Sequence, residues 1–343
     1  MSRLLILNAL LIDPARKLEK ELNLLIEDGR IRSVGRGLAP RGRAGCEIYD
    51  ASGLWLMPGL IDMHVHAREP GMESAEDLSS AARAAAAGGF TSILAMPNTD
   101  PPADRPALIR SLRAKAEGLP VNVYFSAAVT RGRAGLKLAN LAALKKAGAL
   151  AFTDDGACVP EGPLRKALLF SRLSGAPVLD HAEKLLFTGP GVMHEGKISR
   201  ALGLPGIPYL AETAMVLRDV TLAREVGARI HLQHLSCRES VDTVREAKRR
   251  GISVTAETCP HYFTLTCEQV KDAGFKMKPP LRERGDREAV KKGLADGTID
   301  VIASDHAPHP AAEKAKGLLK APFGVIGLET ALGLALTELF YKG

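Results

Sequence analysis

Two histidines, His64 and His66, are separated by one residue at the end of an apolar stretch that begins Gly59-Leu60-Ile61. If this stretch is a β-strand, side chains two residues apart project to the same side, so both imidazoles can bind one metal ion. Imidazole is a common ligand of zinc and similar cations. A single His-x-His pair is a weak indication, because most histidines are ordinary surface or core residues. The metal hypothesis therefore needs further ligands from other strands.

Such ligands follow four more short apolar runs. These runs end at Asp154-Asp155, at Asp180-His181, at His234 and at Ser304-Asp305-His306. Short apolar runs that alternate with amphipathic helical patterns are typical of parallel strands buried on both faces. Because the carboxyl ends of parallel strands meet at one edge of a sheet, these polar side chains are predicted to lie together.

The helical patterns between the runs complete the architecture. They are predicted at residues 74–88, 105–118, 138–148, 161–175, 208–227, 237–251, 286–297 and 327–341. Most end in Gly, which commonly follows the last residue of a helix. The apolar runs lie at residues 59–61, 91–97, 121–129, 149–153, 177–179, 229–233, 253–258 and 299–303. Eight strand–helix units predict an α/β fold, a (β/α)8 TIM barrel with its active site at the carboxyl ends of the strands.

Composition restricts the class of protein. The chain has 343 residues, of which 46% are hydrophobic, enough for one barrel with a substantial core. Its net charge is +7, but Lys and Arg are spread over the predicted outer helices without interleaved aromatics, which argues against nucleic acid as a partner. Five cysteines without a CxxC pair are typical of a reducing compartment. Because a signal-peptide pattern and an apolar run of about 20 residues are also absent, we expect a cytoplasmic protein without membrane contact.

Seven segments together resemble the type I dihydroorotases, members of the metal-dependent amidohydrolase superfamily. They are residues 62–71 (DMHVHAREPG), 96–99 (MPNT), 152–156 (FTDDG), 191–196 (GVMHEG), 202–208 (LGLPGIP), 304–309 (SDHAPH) and 321–330 (APFGVIGLET). They follow in the family's order over nearly the whole chain. The resemblance implies an enzyme that interconverts N-carbamoyl-L-aspartate and L-dihydroorotate in pyrimidine (UMP) biosynthesis.

The same resemblance implies the metal ligands. It implies six ligands, which would hold one or two ions: His64, His66, Asp154, His181, His234 and Asp305. Strand alternation allows only one of Asp154 and Asp155 to point inward, and the family's spacing favours Asp154 as the carboxylate shared by two ions. Imidazole and carboxylate donors without Cys suit Zn2+ at an open site, with manganese or cobalt as substitutes.

A shell of this kind implies a hydrolytic mechanism. Catalytic zinc lowers the pKa of its bound water towards ~7, so the expected nucleophile is a metal-bound hydroxide. Asp305 is expected to act as general acid/base, which takes the proton of the attacking water and passes it to the departing nitrogen. Hydantoinases, dihydropyrimidinases, allantoinases and the other dihydroorotase class use a carbamylated Lys after the fourth strand. Residues 149–154 contain no Lys, which favours the type I enzymes.

Both substrates of a dihydroorotase are anions, so their recognition needs cationic and amide groups. The resemblance implies that Arg68, Asn98 and His309 hold the substrate carboxylate, and the planar fork of Arg matches a carboxylate well. It also implies that the backbone of Phe323 and Gly324 contacts the ring, since Gly permits a close approach.

Two further residues are expected at the substrate. His66 is implied as a substrate contact in addition to its role as a metal ligand. Lys278, within residues 275–282 (FKMKPPLR), stands where type I enzymes usually have Asn. An ammonium can pair with the substrate anion, but it is a point charge and not an amide, so the chain departs from its family here.

Residues 1–57 differ in character from the barrel predicted over residues 58–343. Short strands are predicted at residues 4–11, 22–27, 31–34 and 47–49, with a hairpin turn at Asp28-Gly29. In amidohydrolases such a segment joins a C-terminal one in a small composite β domain, and family members continue beyond the equivalent of Gly343. We therefore expect a truncated chain that lacks the C-terminal half of this domain. Apolar side chains left exposed on the N-terminal strands would favour aggregation.

Two other functions stay open at this point. One is a different cyclic amidohydrolase, such as an allantoinase or a hydantoinase-like enzyme. The other is a non-catalytic dihydroorotase-like scaffold subunit of aspartate carbamoyltransferase, but degenerate scaffolds lose metal ligands, whereas all six are present here. Besides the small anionic substrate, the expected partners are further copies of the chain, in a homo-oligomer, and aspartate carbamoyltransferase.

Overall fold

Two units separate in the computed structural model, which describes residues 2–38 and 45–342. They comprise Met1–Leu60 and Ile61–Gly343. The division predicted between residues 57 and 58 falls close to this boundary. Whether the first unit is one half of a composite domain stays a prediction.

In the first unit, residues 2–38 and 45–60 form a sheet of five strands. These are β1 (Arg3–Asp13), β2 (Leu18–Glu27), β3 (Arg30–Gly35), β4 (Cys46–Asp50) and β5 (Trp55–Leu56). Their order is β3-β2-β1-β4, and β5 pairs with β1. Asp28 and Gly29 join β2 to β3 with φ angles of 49° and 74°, the pair of positive φ values that a two-residue hairpin needs. The four predicted strands and the hairpin turn are confirmed, and β5 is an addition.

Apolar side chains of this sheet are unevenly buried. Leu5 and Leu24 are 1% and 5% exposed, whereas Ile31 and Ile48 are 65% and 51% exposed. Exposure of part of this apolar surface was expected, and its effect on aggregation stays a prediction.

Eight strands of the barrel follow. They are β6 (Leu60–Val65), β7 (Phe90–Ala95), β8 (Asn122–Ala127), β9 (Ala151–Phe152), β10 (Leu179–Asp180), β11 (Ile230–Leu232), β12 (Val254–Thr258) and β13 (Val301–Ile302). Hydrogen bonds join β6-β7-β8-β9 and β10-β11-β12-β13. Isolated parallel bridges, Phe152 with Val178 and Val65 with His306, connect the two sets at both remaining seams. The ring of strands therefore closes, which confirms the predicted (β/α)8 barrel.

A helix follows each barrel strand. The eight helices are α1 (Leu78–Ala87), α2 (Pro106–Lys115), α3 (Leu141–Ala147), α4 (Glu161–Ser174), α5 (Leu210–Val226), α6 (Arg238–Arg249), α7 (Arg284–Ala295) and α8 (Ala331–Ala335). All were predicted, but several ends differ. Helix α1 begins later than predicted, because the Asp77 carboxylate accepts a hydrogen bond from the Ser80 N–H at 2.7 Å and caps the helix there. Beyond α8 the chain continues as a π-helix over Leu336–Tyr341.

Shorter elements occupy the connections. A two-stranded parallel sheet pairs Met193–His194 with Gly206–Ile207. Short α-helices span Leu185–Thr188, Lys197–Ala201, Pro260–Thr264, Ala311–Lys314 and Gly317–Lys320, and 3-10 helices span Pro14–Arg16, Arg131–Arg133, Cys267–Gln269 and Ala273–Phe275. The sequence did not predict these elements, since segments this short carry no clear hydrophobic period.

The main core lies between the barrel strands and the helices around them. Phe152 on β9, Leu168 on α4 and Ile230 on β11 are fully buried members of one apolar cluster. A close-packed core of this kind holds the strand ends at fixed separations. Among the helices of residues 2–38 and 45–342, none combines the length and apolar character needed to cross a bilayer.

Candidate metal and substrate site

The carboxyl ends of five barrel strands carry the candidate metal ligands. His64 and His66 lie on β6. A further candidate ligand follows within three residues of the end of each of β9, β10, β11 and β13: Asp155, His181, His234 and Asp305. All six side chains are buried. The structure therefore brings together the strand ends that the sequence pattern predicted, with Asp155 in the place expected for Asp154.

The first group of candidate ligands surrounds the Nε2 atoms of His64 and His66. His64 Nε2 lies 3.2 Å from Asp155 Oδ1 and 3.5 Å from Asp305 Oδ1. His66 Nε2 lies 3.5 Å from Asp155 Oδ2 and 3.1 Å from Asp305 Oδ1. With metal–ligand bonds of about 2.0–2.1 Å, neighbouring ligands of a tetrahedral ion lie roughly 3.3 Å apart. These separations suit the shell of a single cation.

The second group shares Asp155 with the first. Asp155 Oδ1 lies 3.5 Å from His181 Nδ1 and 3.9 Å from His234 Nε2. The two imidazole nitrogens are themselves 2.8 Å apart. Asp155 thus belongs to two sets of three closely spaced donors, one with His64 and His66 and the other with His181 and His234.

The selection of Asp154 as the shared carboxylate is wrong. Its Oδ1 accepts a hydrogen bond from the Thr130 N–H at 3.1 Å, and its Oδ2 accepts one from the Thr130 hydroxyl at 2.5 Å. Strand β9 ends at Phe152, so the two aspartates lie in a loop where strand alternation no longer applies. Arg133 donates hydrogen bonds to the main-chain oxygens of both aspartates, which holds this loop in place.

Outer contacts orient the first pair of histidines. Glu257 is fully buried on β12. Its Oε1 lies 2.6 Å from His64 Nδ1, and its Oε2 lies 3.1 Å from His231 Nε2. Asn98 Oδ1 lies 2.9 Å from His66 Nδ1. Such partners fix the ring orientation of metal-binding histidines and leave the opposite nitrogen free to bind. Glu257 was not predicted as a site residue, although an acidic residue within an apolar strand was a signal for it.

The donor set fits a divalent metal cation. Among the described residues, no hydrogen-bond partner is available to the buried atoms His64 Nε2 and Asp155 Oδ1. Buried polar atoms without partners are costly unless a ligand or ion pairs with them. Burial raises the pKa of Asp155, but the charges of His64 and its neighbours outweigh this and lower that pKa well below its usual range. Burial and the adjacent His181 lower the pKa of His234 to about 4, so its ring is neutral and able to bind metal.

Arg68 and His309 lie together beside these groups, as expected for carboxylate contacts. Arg68 Nε donates to Pro308 O at 3.2 Å, and its Nη2 lies 3.2 Å from His309 Nε2. His309 Nε2 also donates to Phe323 O at 2.8 Å. Burial and the Arg68 charge lower the pKa of His309 to about 4, so this pair carries the single positive charge of the guanidinium.

A cavity of about 280 Å³ opens onto the candidate ligands. Its lining includes most of the expected substrate contacts, namely His66, Arg68, Asn98, Lys278, Phe323 and Gly324. Gly324 has a φ of 137°, and a Cβ atom there would lie 2.4 Å from Ala307 O, so only glycine fits. His309 does not line this cavity but an adjacent one of about 420 Å³ that Gly324 also borders. The other six predicted substrate residues share the cavity of the candidate metal ligands, and their roles stay predictions.

Lys278 does not stand alone in this cavity. Its Nζ lies 3.4 Å from Glu183 Oε2 and 3.4 Å from Thr188 Oγ1. Glu183 Oε2 lies 3.6 Å from His181 Nε2. Burial raises the pKa of Glu183, but the contacts with His181 and Lys278 lower it overall, which favours the ionised carboxylate. Glu183 was not predicted as a site residue; its position two residues after His181 was the available signal.

Comparison with known proteins agrees with this geometry. Residues 53–240, over half of the chain, match the family model described as Dihydro-orotase-like. The chain is 50% identical over 344 aligned residues to a dihydroorotase from Pelotomaculum thermopropionicum, with 99% of this chain and 80% of the relative covered. It is also 50% identical to a dihydroorotase from Pelobacter propionicus, with 97% and 79% covered.

A solved structure of an L-hydantoinase (dihydropyrimidinase) from Arthrobacter aurescens superposes with a TM-score of 0.84 at 25% identity, covering 100% of this chain and 78% of that one. The fold of this chain thus has a counterpart in a solved hydantoinase structure. The family model and the half-identical relatives are more specific than this likeness. The family-model match, the two half-identical relatives and the candidate metal ligands at the strand ends agree, and this chain belongs to the dihydroorotase family of the amidohydrolase superfamily.

Proposed function

We propose that this protein is a dihydroorotase, which interconverts N-carbamoyl-L-aspartate and L-dihydroorotate in pyrimidine biosynthesis. The observation that carries the proposal is the Asp155 carboxylate between two pairs of histidines, beside a cavity that also contains Arg68. The substrates combine an amide bond to be hydrolysed or formed with a carboxylate to be bound. A metal-binding group next to a guanidinium serves both needs.

Zinc, as one or two ions, is the proposed cofactor. The residues that would hold it are His64, His66 and Asp305 for one ion, His181 and His234 for a second, and Asp155 for both. Imidazole and carboxylate donors without thiolate suit zinc at a catalytic site. When bound, zinc supplies Lewis acidity, which activates water and polarises the amide carbonyl.

Asp305 is the proposed general acid/base. Burial raises its pKa, but the charge of His64 and the hydrogen bond with His66 lower it well below its usual range, so the carboxylate is ionised at neutral pH. An ionised carboxylate in the cavity can accept the proton of the attacking water. The same group then returns this proton to the departing ring nitrogen, which needs it to leave as a neutral amide.

Arg68, Asn98 and His309 are the proposed contacts of the substrate carboxylate. Arg68 is 8% exposed, and its guanidinium keeps its charge next to a neutral His309. Because water is largely excluded there, a charge-assisted hydrogen bond to the substrate is stronger than at the surface. Gly324 is held close to Ala307 O, where no side chain fits, and its backbone is the proposed contact of the substrate ring.

Parallel assays of one preparation test the function. Zinc-loaded protein is offered dihydroorotate, N-carbamoyl-L-aspartate, allantoin and hydantoin, with the His64→Ala variant as the matched control. We expect turnover of the first two only, its loss on chelation and its return with zinc. Preferred turnover of hydantoin or allantoin would replace the proposal with a related cyclic amidase, in line with the hydantoinase-like fold. A folded, metal-loaded protein without any turnover would favour a scaffold subunit.

Three further proposals concern the oligomeric state, a protein partner and the location in the cell. A homo-oligomer, an association with aspartate carbamoyltransferase and a cytoplasmic location are expected for a dihydroorotase of this type. Light scattering of the protein alone, and of its mixture with aspartate carbamoyltransferase, tests the first two. A monomeric mass for the protein alone would contradict the homo-oligomer. A mixture in which the mass of the transferase does not change would contradict the association.

A further inference from the structure

One buried carboxylate at the site, Glu183, has no part in the chemistry described above. Its side chain is 0% exposed, and among the residues described neither of its oxygens has a hydrogen-bond partner. Its ion-pair neighbours are Lys278 Nζ at 3.4 Å and His181 Nε2 at 3.6 Å. A carboxylate removed from water is costly unless an opposite charge compensates it. Lys278 supplies this compensating charge.

Lys278 reaches the carboxylate from the cavity wall. Its side chain is 19% exposed, its Nζ lies 5.2 Å from the centre of the Phe323 ring, and Thr188 Oγ1 is 3.4 Å away. The two other buried cations of residues 275–282 have partners of their own: Arg282 lies 3.4 Å from the Glu212 carboxylate, and Lys276 Nζ donates to Leu318 O at 2.6 Å. The Glu183–Lys278 pair is therefore a local unit with one member at the substrate cavity and one behind it.

We propose that Glu183 is a positioning residue that neutralises Lys278 and holds its ammonium at the cavity wall. Lys278 then offers hydrogen-bond donors to the substrate without adding a second full positive charge, and Arg68 remains the charge that selects the substrate carboxylate. The inference rests on the proposed function only for the identity of the substrate.

A double-mutant cycle tests the unit. The variants are Lys278→Met, Glu183→Gln and the double variant, with Lys271→Met, an exposed lysine nearby in the chain, as the control. Lys278→Met leaves an uncompensated carboxylate behind the cavity that repels the anionic substrate. We expect KM for dihydroorotate to rise on the order of tenfold while kcat changes much less, an effect kept moderate by the partial exposure of the lysine. The control should leave KM unchanged.

The double variant gives the decisive readout. Since Glu183→Gln removes the charge that Lys278→Met exposes, the double variant should recover most of the KM lost in Lys278→Met. A pair with a purely structural role would alter unfolding but would not show this rescue of KM. A KM unaffected by Lys278→Met, or a double variant no better than Lys278→Met, would overturn the proposal.

Unfolding separates this inference from the proposed function. The loss of stability in the double variant should be smaller than the sum of the two single losses, which urea unfolding measures without substrate. If wild-type protein fails to turn over dihydroorotate, the proposed function falls, whereas the ion pair is still judged by this cycle. Additive losses of stability would reject the pair whatever the substrate is.

Discussion

Asp155 is the residue on which both groups of candidate ligands depend, and its neighbour has a different task. The Asp155 carboxylate faces histidines of both groups, whereas both oxygens of Asp154 accept hydrogen bonds from Thr130. The two adjacent aspartates thus differ in their surroundings: Asp155 faces the candidate metal ligands, and Asp154 supports its loop. Variants of the two residues distinguish these tasks.

Asp155→Asn should abolish turnover and lower the bound zinc per chain, because an amide lacks the charge that two cations would share. Asp154→Asn should keep the metal but cost about 1–3 kcal/mol of stability, since its hydrogen bonds with Thr130 are weakened in a buried place. Elemental analysis and thermal unfolding measure the two effects. Equal zinc content in both variants would contradict the assignment of Asp155.

Arg68→Met should lower kcat/KM for dihydroorotate by roughly 10- to 150-fold. A charge-assisted hydrogen bond to an anion in a largely dry cavity is worth about 1.5–3 kcal/mol. Steady-state kinetics measure the loss, and Arg110→Met on the exposed face of α2 is the matched control. Wild-type kinetics in Arg68→Met would remove the arginine from the recognition scheme.

At the scale of elements, the barrel strands present the ligands and the short elements beyond them support the site. The small sheet of Met193–His194 and Gly206–Ile207 is tied to Arg282, whose Nη1 lies 3.2 Å from His194 Nδ1 and donates to Ile207 O at 3.2 Å. His194 therefore serves as an acceptor for a buried guanidinium. Its protonation would break this contact.

Stability should fall as the pH decreases from about 6.5 to about 4. Burial and the Arg282 charge lower the pKa of His194 from 6.5 to about 4, so in this window the unfolded chain binds the proton and the folded chain does not. The loss attributable to His194 is about 1–3 kcal/mol. Urea unfolding at several pH values should show a flatter dependence for His194→Asn, whose amide oxygen accepts from Arg282 without titrating. The same slope in both proteins would contradict this role.

At the scale of the molecule, closure of the barrel gathers buried imidazoles that could bind a cation and carboxylates whose charge it would neutralise. An ion that binds the folded chain but not the unfolded one stabilises it by about 2.7 kcal/mol at a concentration 100 times its Kd. Zinc should therefore raise the midpoint of thermal unfolding of chelator-treated protein. Calorimetry with and without zinc measures this shift, and Asp155→Asn should reduce it. An unchanged midpoint would argue against a metal site in the folded barrel.

The order of elements was predictable because it depends on local patterns. Short apolar runs, amphipathic helices and glycines at helix ends follow from burial and backbone geometry within about 20 residues of chain, and all eight βα units were placed in this way. His64 and His66 were identified for the same reason, since their side chains share one side of a strand. The short sheet at Met193–His194 had no such period and was missed.

The sequence by itself determined the barrel, its family and the strand ends where the chemistry lies. Tertiary structure decided which side chains meet there. Strand β9 stops at Phe152, so the loop beyond it, and not strand alternation, turns Asp155 towards the histidines. Glu257 reaches His64 across 193 positions of the chain, and Lys278 reaches Glu183 only because the folded barrel brings distant loops together. Contacts of this kind depend on packing over the whole chain, which no local pattern records.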